Sequence, residues 1–146
     1  MKLEPQKPNY AIRVMVFKNG RILLGKNKSI YGGNYYSFPG GKLEYMESFE
    51  HCAKREVTEE CGIELKNIAF HSVVNRIEVI ENTSFHNVHI TLTADWKSGE
   101  PKVLEPEKCD SWDWYELNSL PKPLFKNCEI TLQNYTSGKK YFDITD

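Results

Sequence analysis

Short apolar runs separated by turn residues dominate the chain, and this pattern predicts mostly strands. Residues 11–17 form one such run, which indicates a buried strand interrupted by Arg13. Asn19-Gly20 is a strong signal for a two-residue hairpin loop, so residues 21–24 should return as the second strand. Residues 25–34, which contain lysines and glycines, are predicted as a loop.

Helical spacing appears once with clear start and stop signals. Phe49, Ala53 and Val57 recur every four residues and form an apolar stripe. Ser48 can cap the first turn, and Gly62 is typical of a helix end. The pattern therefore predicts a helix between these two residues, after a strand over 35–38 and a loop at Gly40-Gly41.

The rest of the chain repeats the strand pattern and ends with a second helix. We expect one or two long strands over 63–80, a turn at 81–84, a strand over 88–96 that pairs with the preceding one, a turn at 97–101, a charged loop at 105–109, a strand over 111–117 and a helix over 124–135. Residues 138–146 give no clear signal. These elements pack most simply as an α/β fold in which a mixed sheet lies between helices.

Length and composition narrow the class of protein. The 146 residues fit one domain, 1–146, with 1–9 as a loose lead-in. A net charge of −1 argues against a nucleic acid polymer as partner. No apolar run approaches the roughly 18 residues of a membrane span, and no signal peptide is apparent. The four cysteines form no Cys-x-x-Cys pair, which is typical of reduced thiols in a cytoplasmic protein.

Carboxylates on the first predicted helix suggest the chemistry. Glu56, Glu59 and Glu60 fall within an arc of about 100°. Because like charges repel, a hard divalent cation such as Mg²⁺ would stabilise this face. Glu47 could fold back toward the same site, and Arg55 could hold one carboxylate in a bidentate fork. The alternative is a solvated, Glu-rich helix face.

The spacing of these residues resembles a known family signature. Residues 41–63 match Gly-x5-Glu-x7-Arg-Glu-aliphatic-x-Glu-Glu-x-Gly-aliphatic at every specified position, and this is the Nudix box. The chain thus resembles a Nudix hydrolase, which implies an α/β/α sandwich. It also implies that Glu56, Glu59 and Glu60 bind Mg²⁺, with Mn²⁺ as a substitute, and that Gly40 or Gly41 adds a backbone carbonyl. Arg55 would orient a box glutamate, and Glu47 would support the site.

Similarity extends beyond the box, over roughly residues 10–130. Residues 72–75, 105–109 and 120–125 and the pair Trp112 and Trp114 resemble a eukaryotic cytosolic subgroup similar to MutT. That subgroup includes nucleoside triphosphate diphosphatases and a plant branch that acts on oxidised guanine nucleotides or prenyl diphosphates. The resemblance implies a homodimer that cleaves a nucleoside triphosphate to the monophosphate and pyrophosphate. It also implies that Glu105, in a late loop, adds an acid to the site.

The substrate pocket is predicted less specifically than the box. Lys28 could meet a phosphate, and Phe125 could stack on a base. Lys126, at a position where relatives tend to carry an aromatic residue, could donate to a guanine carbonyl. The other pocket candidates are Ser37, Phe38 and His89. Solvent exposure is the alternative for both lysines, and a strand position unrelated to ligand is the alternative for His89.

Three functional hypotheses remain open from sequence. The first is Mg²⁺-dependent hydrolysis of nucleoside triphosphates such as dGTP or 8-oxo-dGTP. The second keeps the chemistry but changes the substrate to a prenyl diphosphate, a dinucleotide or a nucleotide sugar. The third is a binding module without catalysis, which the complete set of box glutamates disfavours. The general base and the number of metal ions are left undecided.

Overall fold

The computed structural model describes residues 6–28 and 34–145. Within them the chain forms these elements in order: β1 (Asn9–Lys18), β2 (Arg21–Lys28), β3 (Asn34–Ser37), β4 (Gly40–Lys42), α1 (Phe49–Cys61), β5 (Glu64–Ile80), β6 (Thr83–Ser98), β7 (Cys109–Glu116), α2 (Lys126–Gln133) and β8 (Tyr141–Thr145). Neither helix has the length and hydropathy needed to cross a bilayer in this part of the chain.

All of these strands join one mixed sheet. The main order is β3-β2-β1-β6-β5-β8, with β4 paired to β1 and β7 paired to β2. The β1–β6 and β5–β8 pairs are parallel, and the others are antiparallel. The prediction of a mixed sheet with helices is confirmed.

Two hairpins show how local sequence sets the topology. Asn19 and Gly20 both have positive φ (51° and 78°), which is the backbone of a type I′ turn and confirms the predicted hairpin. Glu81 and Asn82 adopt the same region (49° and 66°) and join β5 to β6. The predicted turn at 81–84 is therefore only two residues long, because Thr83 already pairs with Ile80.

Strand alternation divides the core into two layers. Ile12, Val14 and Val16 of β1 pack in the cluster that contains the buried face of α1. Met15 packs in the other cluster, which contains Cys128 of α2. Because successive side chains of a strand point to opposite faces, β1 alone supplies apolar residues to both sides of the sheet.

Several predicted boundaries are wrong. Strand β2 continues to Lys28 and β3 begins at Asn34, so residues 25–28 and 34 are not loop; residues 29–33 of that predicted loop lie outside the described residues. The glycines at 40 and 41 form the short strand β4 instead of a loop. The chain end forms β8, parallel to β5. The predicted helix over 124–135 is shorter and begins at Lys126.

The cysteines are all free and buried: Cys52, Cys61, Cys109 and Cys128. Burial raises the pKa of each thiol above its ordinary value, to about 12 for Cys52 and about 11 for Cys128. These side chains therefore act as small apolar core residues.

Candidate active site

Helix α1 is fixed at both ends and along one face. Ser48 Oγ accepts from the backbone N–H of His51 (3.1 Å), and Gly62 closes the helix with a positive φ and a bond from its N–H to the carbonyl of Thr58 (3.0 Å). Both predicted caps are confirmed. The residues buried against the sheet are Cys52, Ala53, Val57 and Cys61. This packing sets the rotation of the helix and directs its acidic residues away from the core.

Arg55 organises the outer flank of the helix. Its Nε and Nη2 donate to the two carboxylate oxygens of Glu47 at 2.7 and 3.0 Å, which is a bidentate fork. Its Nη1 donates to Glu56 at 2.8 Å and to Glu59 at 3.3 Å, and Nη2 also reaches the carbonyl of Lys42 at 3.1 Å. These bonds hold the pKa of Glu47 well below its usual range and raise that of Arg55.

The two box glycines let carboxylates approach the backbone. A Cβ on Gly41 would collide with the carboxylate of Glu56, so a larger residue there would displace that carboxylate from the backbone. Gly40 N–H donates to Glu60 Oε1 at 2.7 Å. Gly40 has φ of 152°, and a Cβ would meet the carbonyl oxygen of Ile12 at 2.0 Å. Glycine at both positions is therefore required by the contacts that position Glu56 and Glu60.

Glu60, which bonds Gly40, has a pKa raised well above its ordinary value. Burial raises its pKa to about 7, and the charges of Glu56 and Glu105 add to this rise. The positive charge of Arg13 and the N–H of Gly40 oppose it. A buried carboxylate of this kind has no full counter-charge of its own and is stabilised by a bound cation.

A cleft of about 610 Å³ opens above these acids. The residues that line it are Arg13, Asn27, Lys28, Tyr35, Ser37, Gly40, Gly41, Lys42, Glu56, Glu60, Glu105, Glu107, Lys108 and Phe125. The aromatic rings of Tyr35 and Phe125 stack with centroids 5.2 Å apart and an interplanar angle of 27°. The cleft thus combines carboxylates with an aromatic pair.

Most predicted site residues line this cleft, but not all. The lining includes Lys28, Ser37, Gly40, Gly41, Glu56, Glu60, Glu105 and Phe125. Glu47 and Arg55 form the flank behind Glu56, and Glu59 is half-exposed on that same flank. Sequence spacing put the three box glutamates on one face, whereas the structure turns Glu59 toward Arg55.

Three residues predicted to bind substrate do not line the cleft: Phe38, His89 and Lys126. Phe38 is 1% exposed and packs with Met15, Ile22 and Leu24, so its side chain cannot touch a ligand. Burial lowers the pKa of His89 to about 3, and its Nδ1 accepts from Asn127 Nδ2 at 2.9 Å.

Lys126 is the third. It lines a neighbouring cavity of about 400 Å³, which shares Tyr35 and Phe125 with the cleft but not the carboxylates. Strand alternation and a helix start do not by themselves reveal which side chains reach a cleft.

Lys28 lines the cleft but is already engaged. Its Nζ donates to the carbonyl of Pro106 (2.7 Å) and lies 3.4 Å from a carboxylate oxygen of Asp110. Its backbone N–H bonds the carbonyl of Lys108 (3.0 Å). Lys28 therefore ties β2 to the loop that carries Glu105, in place of the predicted free phosphate contact.

Sequence reasoning missed six cleft residues: Arg13, Asn27, Tyr35, Lys42, Glu107 and Lys108. Asn27 Nδ2 donates to Ser37 Oγ, which joins β2 to β3 at the wall of the cleft. Arg13 carried a usable signal, since a charged residue in an apolar strand must have a reason to be there.

Glu56 and Glu60 place carboxylate oxygens at the cleft, and such oxygens are suited to bind a hard cation. In the described residues, however, no three His, Cys, Asp or Glu side chains are already arranged around a common metal position. The physical reason is Arg55, whose Nη1 contacts both Glu56 and Glu59 and directs their oxygens to itself. The donor set fits a divalent cation once these side chains turn from Arg55.

Comparison with known proteins agrees with this geometry. A NUDIX domain model matches residues 7–133. An oxidized purine nucleoside triphosphate hydrolase of Danio rerio is 32% identical over 109 residues, covering 74% of this chain and 66% of that protein. A NAD-capped RNA hydrolase of Pseudomonas aeruginosa is 32% identical over 109 residues, 74% of this chain and 36% of its own length.

A solved structure gives the same result over more of the chain. The MutT NUDIX hydrolase of Burkholderia pseudomallei is 34% identical and superposes with a TM-score of 0.81, covering 90% of this chain and 100% of that one. The match spans 66% of the Danio rerio protein and 36% of the Pseudomonas aeruginosa protein. The sequence motif, the mixed sheet, the acidic cleft and these similarities lead to one conclusion: the chain belongs to the Nudix hydrolase family.

Proposed function

We propose that this chain is a pyrophosphohydrolase that cleaves nucleoside triphosphates, including oxidised purine nucleotides, to the monophosphate and pyrophosphate. The observation that carries the proposal is the composition of the cleft. Carboxylates of Glu56, Glu60 and Glu105 line the same cavity as the stacked rings of Tyr35 and Phe125. A nucleotide needs both, because its phosphate chain requires charge compensation and its base offers an aromatic face.

Mg²⁺ is the proposed metal, and Mn²⁺ would substitute for it. Glu56, Glu59 and Glu60 would hold it, with a backbone carbonyl from Gly40 or Gly41. When bound, the cation supplies charge neutralisation for the phosphate oxygens during cleavage of the anhydride bond. Release of Glu56 and Glu59 from Arg55 would accompany its binding.

The protein's own groups have separable tasks in this proposal. Arg55 and Glu47 act as positioning residues, since their fork fixes the guanidinium that in turn sets the carboxylate of Glu56. Glu105 is held beside the cleft by the loop that Lys28 anchors. Tyr35 and Phe125 would hold the base and keep water from that end of the cleft.

Similarity to the Danio rerio protein supports a nucleoside triphosphate as substrate, since that protein is an oxidized purine nucleoside triphosphate hydrolase. Similarity to a NAD-capped RNA hydrolase supports a dinucleotide as the second candidate. Both reactions break a phosphoric anhydride, so the same carboxylates would serve either one.

A substrate panel tests the proposal. Purified protein with Mg²⁺ is incubated with dGTP, 8-oxo-dGTP, dATP, NAD⁺, a nucleotide sugar and a prenyl diphosphate, and both phosphate and pyrophosphate release are measured. We expect pyrophosphate, and no phosphate, from the triphosphates, and loss of the activity in EDTA while circular dichroism stays unchanged. Hydrolysis of NAD⁺ in preference to every triphosphate would overturn the assignment, as would phosphate release without pyrophosphate.

A further inference from the structure

The chain contains four arginines, all within the described residues, and one of them differs from the rest. Arg21, Arg55 and Arg76 each form an ion pair with a glutamate: Glu116, Glu47 and Glu78 respectively. The side chain of Arg13 makes no hydrogen bond and no ion pair with any residue that the structure describes, and its Nε is buried without a partner. The Nε of Arg76 is also unpartnered, but the Nη2 of that residue is paired with Glu78. An unpaired buried donor is costly, so such groups call for an explanation.

Arg13 projects from β1 into the cleft. Its backbone pairs with Gly40 of β4 on one side and Thr91 of β6 on the other, so the strand cannot turn the residue outward. The cleft lining includes Arg13 together with Glu60, Ser37, Tyr35 and Phe125. The guanidinium is thus part of the floor on which a ligand would rest.

The charge of Arg13 is felt at both ends of the cleft. At the acidic end it opposes the rise that burial causes in the pKa of Glu60, yet the two groups form no ion pair. At the aromatic end it adds to the lowering that burial causes in the pKa of His89, whose ring lies 5.9 Å from that of Phe125. The guanidinium is therefore close enough to both ends of the cleft for its charge to act on each of them.

We infer that Arg13 is a specificity-determining residue, whose guanidinium donates to acceptor atoms on the edge of a purine held by Tyr35 and Phe125. This inference rests on the proposed nucleotide function. Guanine presents two adjacent acceptors, O6 and N7, that match the planar fork of arginine, whereas adenine presents a donor at N6 beside its N7. Arg13 thus selects purines with a carbonyl at C6, the task predicted from sequence for Lys126.

The chemistry also explains why the position carries arginine at the expense of stability. Arg13 is half-buried, and its buried Nε without a partner is unfavourable in the free protein until a ligand supplies an acceptor. Arg13 then discriminates between purines, because a base without a carbonyl at C6 leaves the guanidinium without that acceptor and therefore binds less tightly.

The test combines protein and substrate changes. Values of kcat/KM are measured for dGTP, dATP and 2-aminopurine deoxyribonucleoside triphosphate, which lacks the O6 oxygen, with wild type, Arg13→Met and Arg13→Lys. We expect wild type to prefer dGTP over both other bases, and Arg13→Met to reduce that preference about 10-fold or more. Arg13→Lys should fall between them, because an ammonium makes one of the two bonds.

A matched control and a second readout separate this inference from the reaction itself. Arg21→Met also removes one arginine, at an exposed ion pair outside the cleft, and should leave the base preference unchanged. Dissociation constants for dGMP and dAMP, measured by calorimetry without metal, should show the same loss of preference in Arg13→Met. We expect that variant to melt at the same temperature as wild type or higher.

Two results would overturn the role of Arg13. Equal losses for dGTP and dATP would mean that the guanidinium grips the phosphate chain. An unchanged preference in both turnover and monophosphate binding would mean that it contacts no ligand. If wild type hydrolyses no triphosphate, the proposed reaction fails, while the monophosphate constants still decide base recognition. If Arg13→Met does not fold, the 2-aminopurine comparison in wild type decides it: equal kcat/KM for the two bases would refute the inference.

Discussion

Two arginines near the acidic cleft, Arg55 in α1 and Arg13 in β1, have opposite surroundings. Arg55, on the flank of α1, bonds three glutamates and a backbone carbonyl. The side chain of Arg13, on the floor of the cleft, has no hydrogen-bonded partner among the described residues. The flank satisfies its own charges and can act as a rigid support. The floor leaves its charge unsatisfied, which is the condition expected where a ligand completes the structure.

The strongest way to break this comparison is to remove charge from the cleft. Glu60→Gln keeps the shape of the side chain and removes a proposed metal ligand, so we expect kcat to fall about 100- to 1000-fold. Glu59→Gln should also lower kcat by about 100-fold or more, but by less than Glu60→Gln, because the side chain of Glu59 is half-exposed and contacts Arg55 in the free protein. Steady-state kinetics in Mg²⁺ measure both, once the substrate panel has identified a substrate.

Glu50→Gln is the matched control on the same helix. Glu50 is exposed and pairs with Lys54, so its removal should leave kcat within a factor of about two. Turnover close to wild type in both Glu59→Gln and Glu60→Gln would contradict the assignment of the metal site.

A second test uses the pKa of Glu60. Burial raises it from 4.5 to about 7 in the folded protein. Between these values the unfolded chain has already lost the proton that the folded chain keeps, so stability falls as pH rises from about 4.5 to about 7 and is level above that. One pKa unit corresponds to about 1.4 kcal/mol, so the loss is about 3 to 4 kcal/mol in metal-free protein.

Glu60→Gln isolates that contribution. Urea unfolding of wild type and variant in EDTA at pH 5 and pH 8 gives the difference between them, in which other titrating groups cancel. The free energy of unfolding of wild type, relative to that of the variant, should be lower at pH 8 than at pH 5. Replacing EDTA with Mg²⁺ at pH 8 should restore it. A difference that does not depend on pH would mean that Glu60 is already compensated.

The flank is tested by a more conservative change. Arg55→Lys keeps the charge but cannot hold Glu47 in a fork while also bonding Glu56. We expect kcat to fall about 10- to 30-fold with KM within about threefold, since Arg55 touches carboxylates and not the substrate. A rise in KM with unchanged kcat would instead indicate that Arg55 binds phosphate directly.

Lys126→Met should have the smallest effect. Lys126 is exposed at the start of α2 and lines the neighbouring cavity. We therefore expect kcat/KM for dGTP and dATP to change less than about twofold each. A shift in their ratio larger than that of Arg13→Met would move base selection from the floor of the cleft to this lysine.

The success of sequence reasoning follows the same division between flank and floor. Helix α1, its caps and the fork of Arg55 depend on local spacing, and the sequence predicts them well. The cleft depends on which faces of β1, β3 and β6 point toward it, and on residues far apart in sequence. The burial of Phe38 and His89 could therefore not be predicted, and β4 and β8 were missed because short strands take their identity from partners such as β1 and β5.

Arg13 shows why the rest could not be predicted. Its charge within an apolar strand was visible in the sequence, but its lack of a partner appears only when the surrounding elements are assembled. Periodicity gives the side of a strand on which a residue lies and says nothing about what covers that side.

The buried cysteines have a consequence for how the protein tolerates oxidants. Thiol oxidation proceeds through the thiolate, and a pKa of about 11 leaves roughly one thiol in a thousand ionised at pH 8. Cys52, Cys61, Cys109 and Cys128 are also shielded from reagents in solution. Native protein should therefore give almost no colour with Ellman's reagent, and four equivalents after unfolding. Peroxide that modifies nucleotides would leave these side chains intact, so the folded chain should keep its thiols without added reductant.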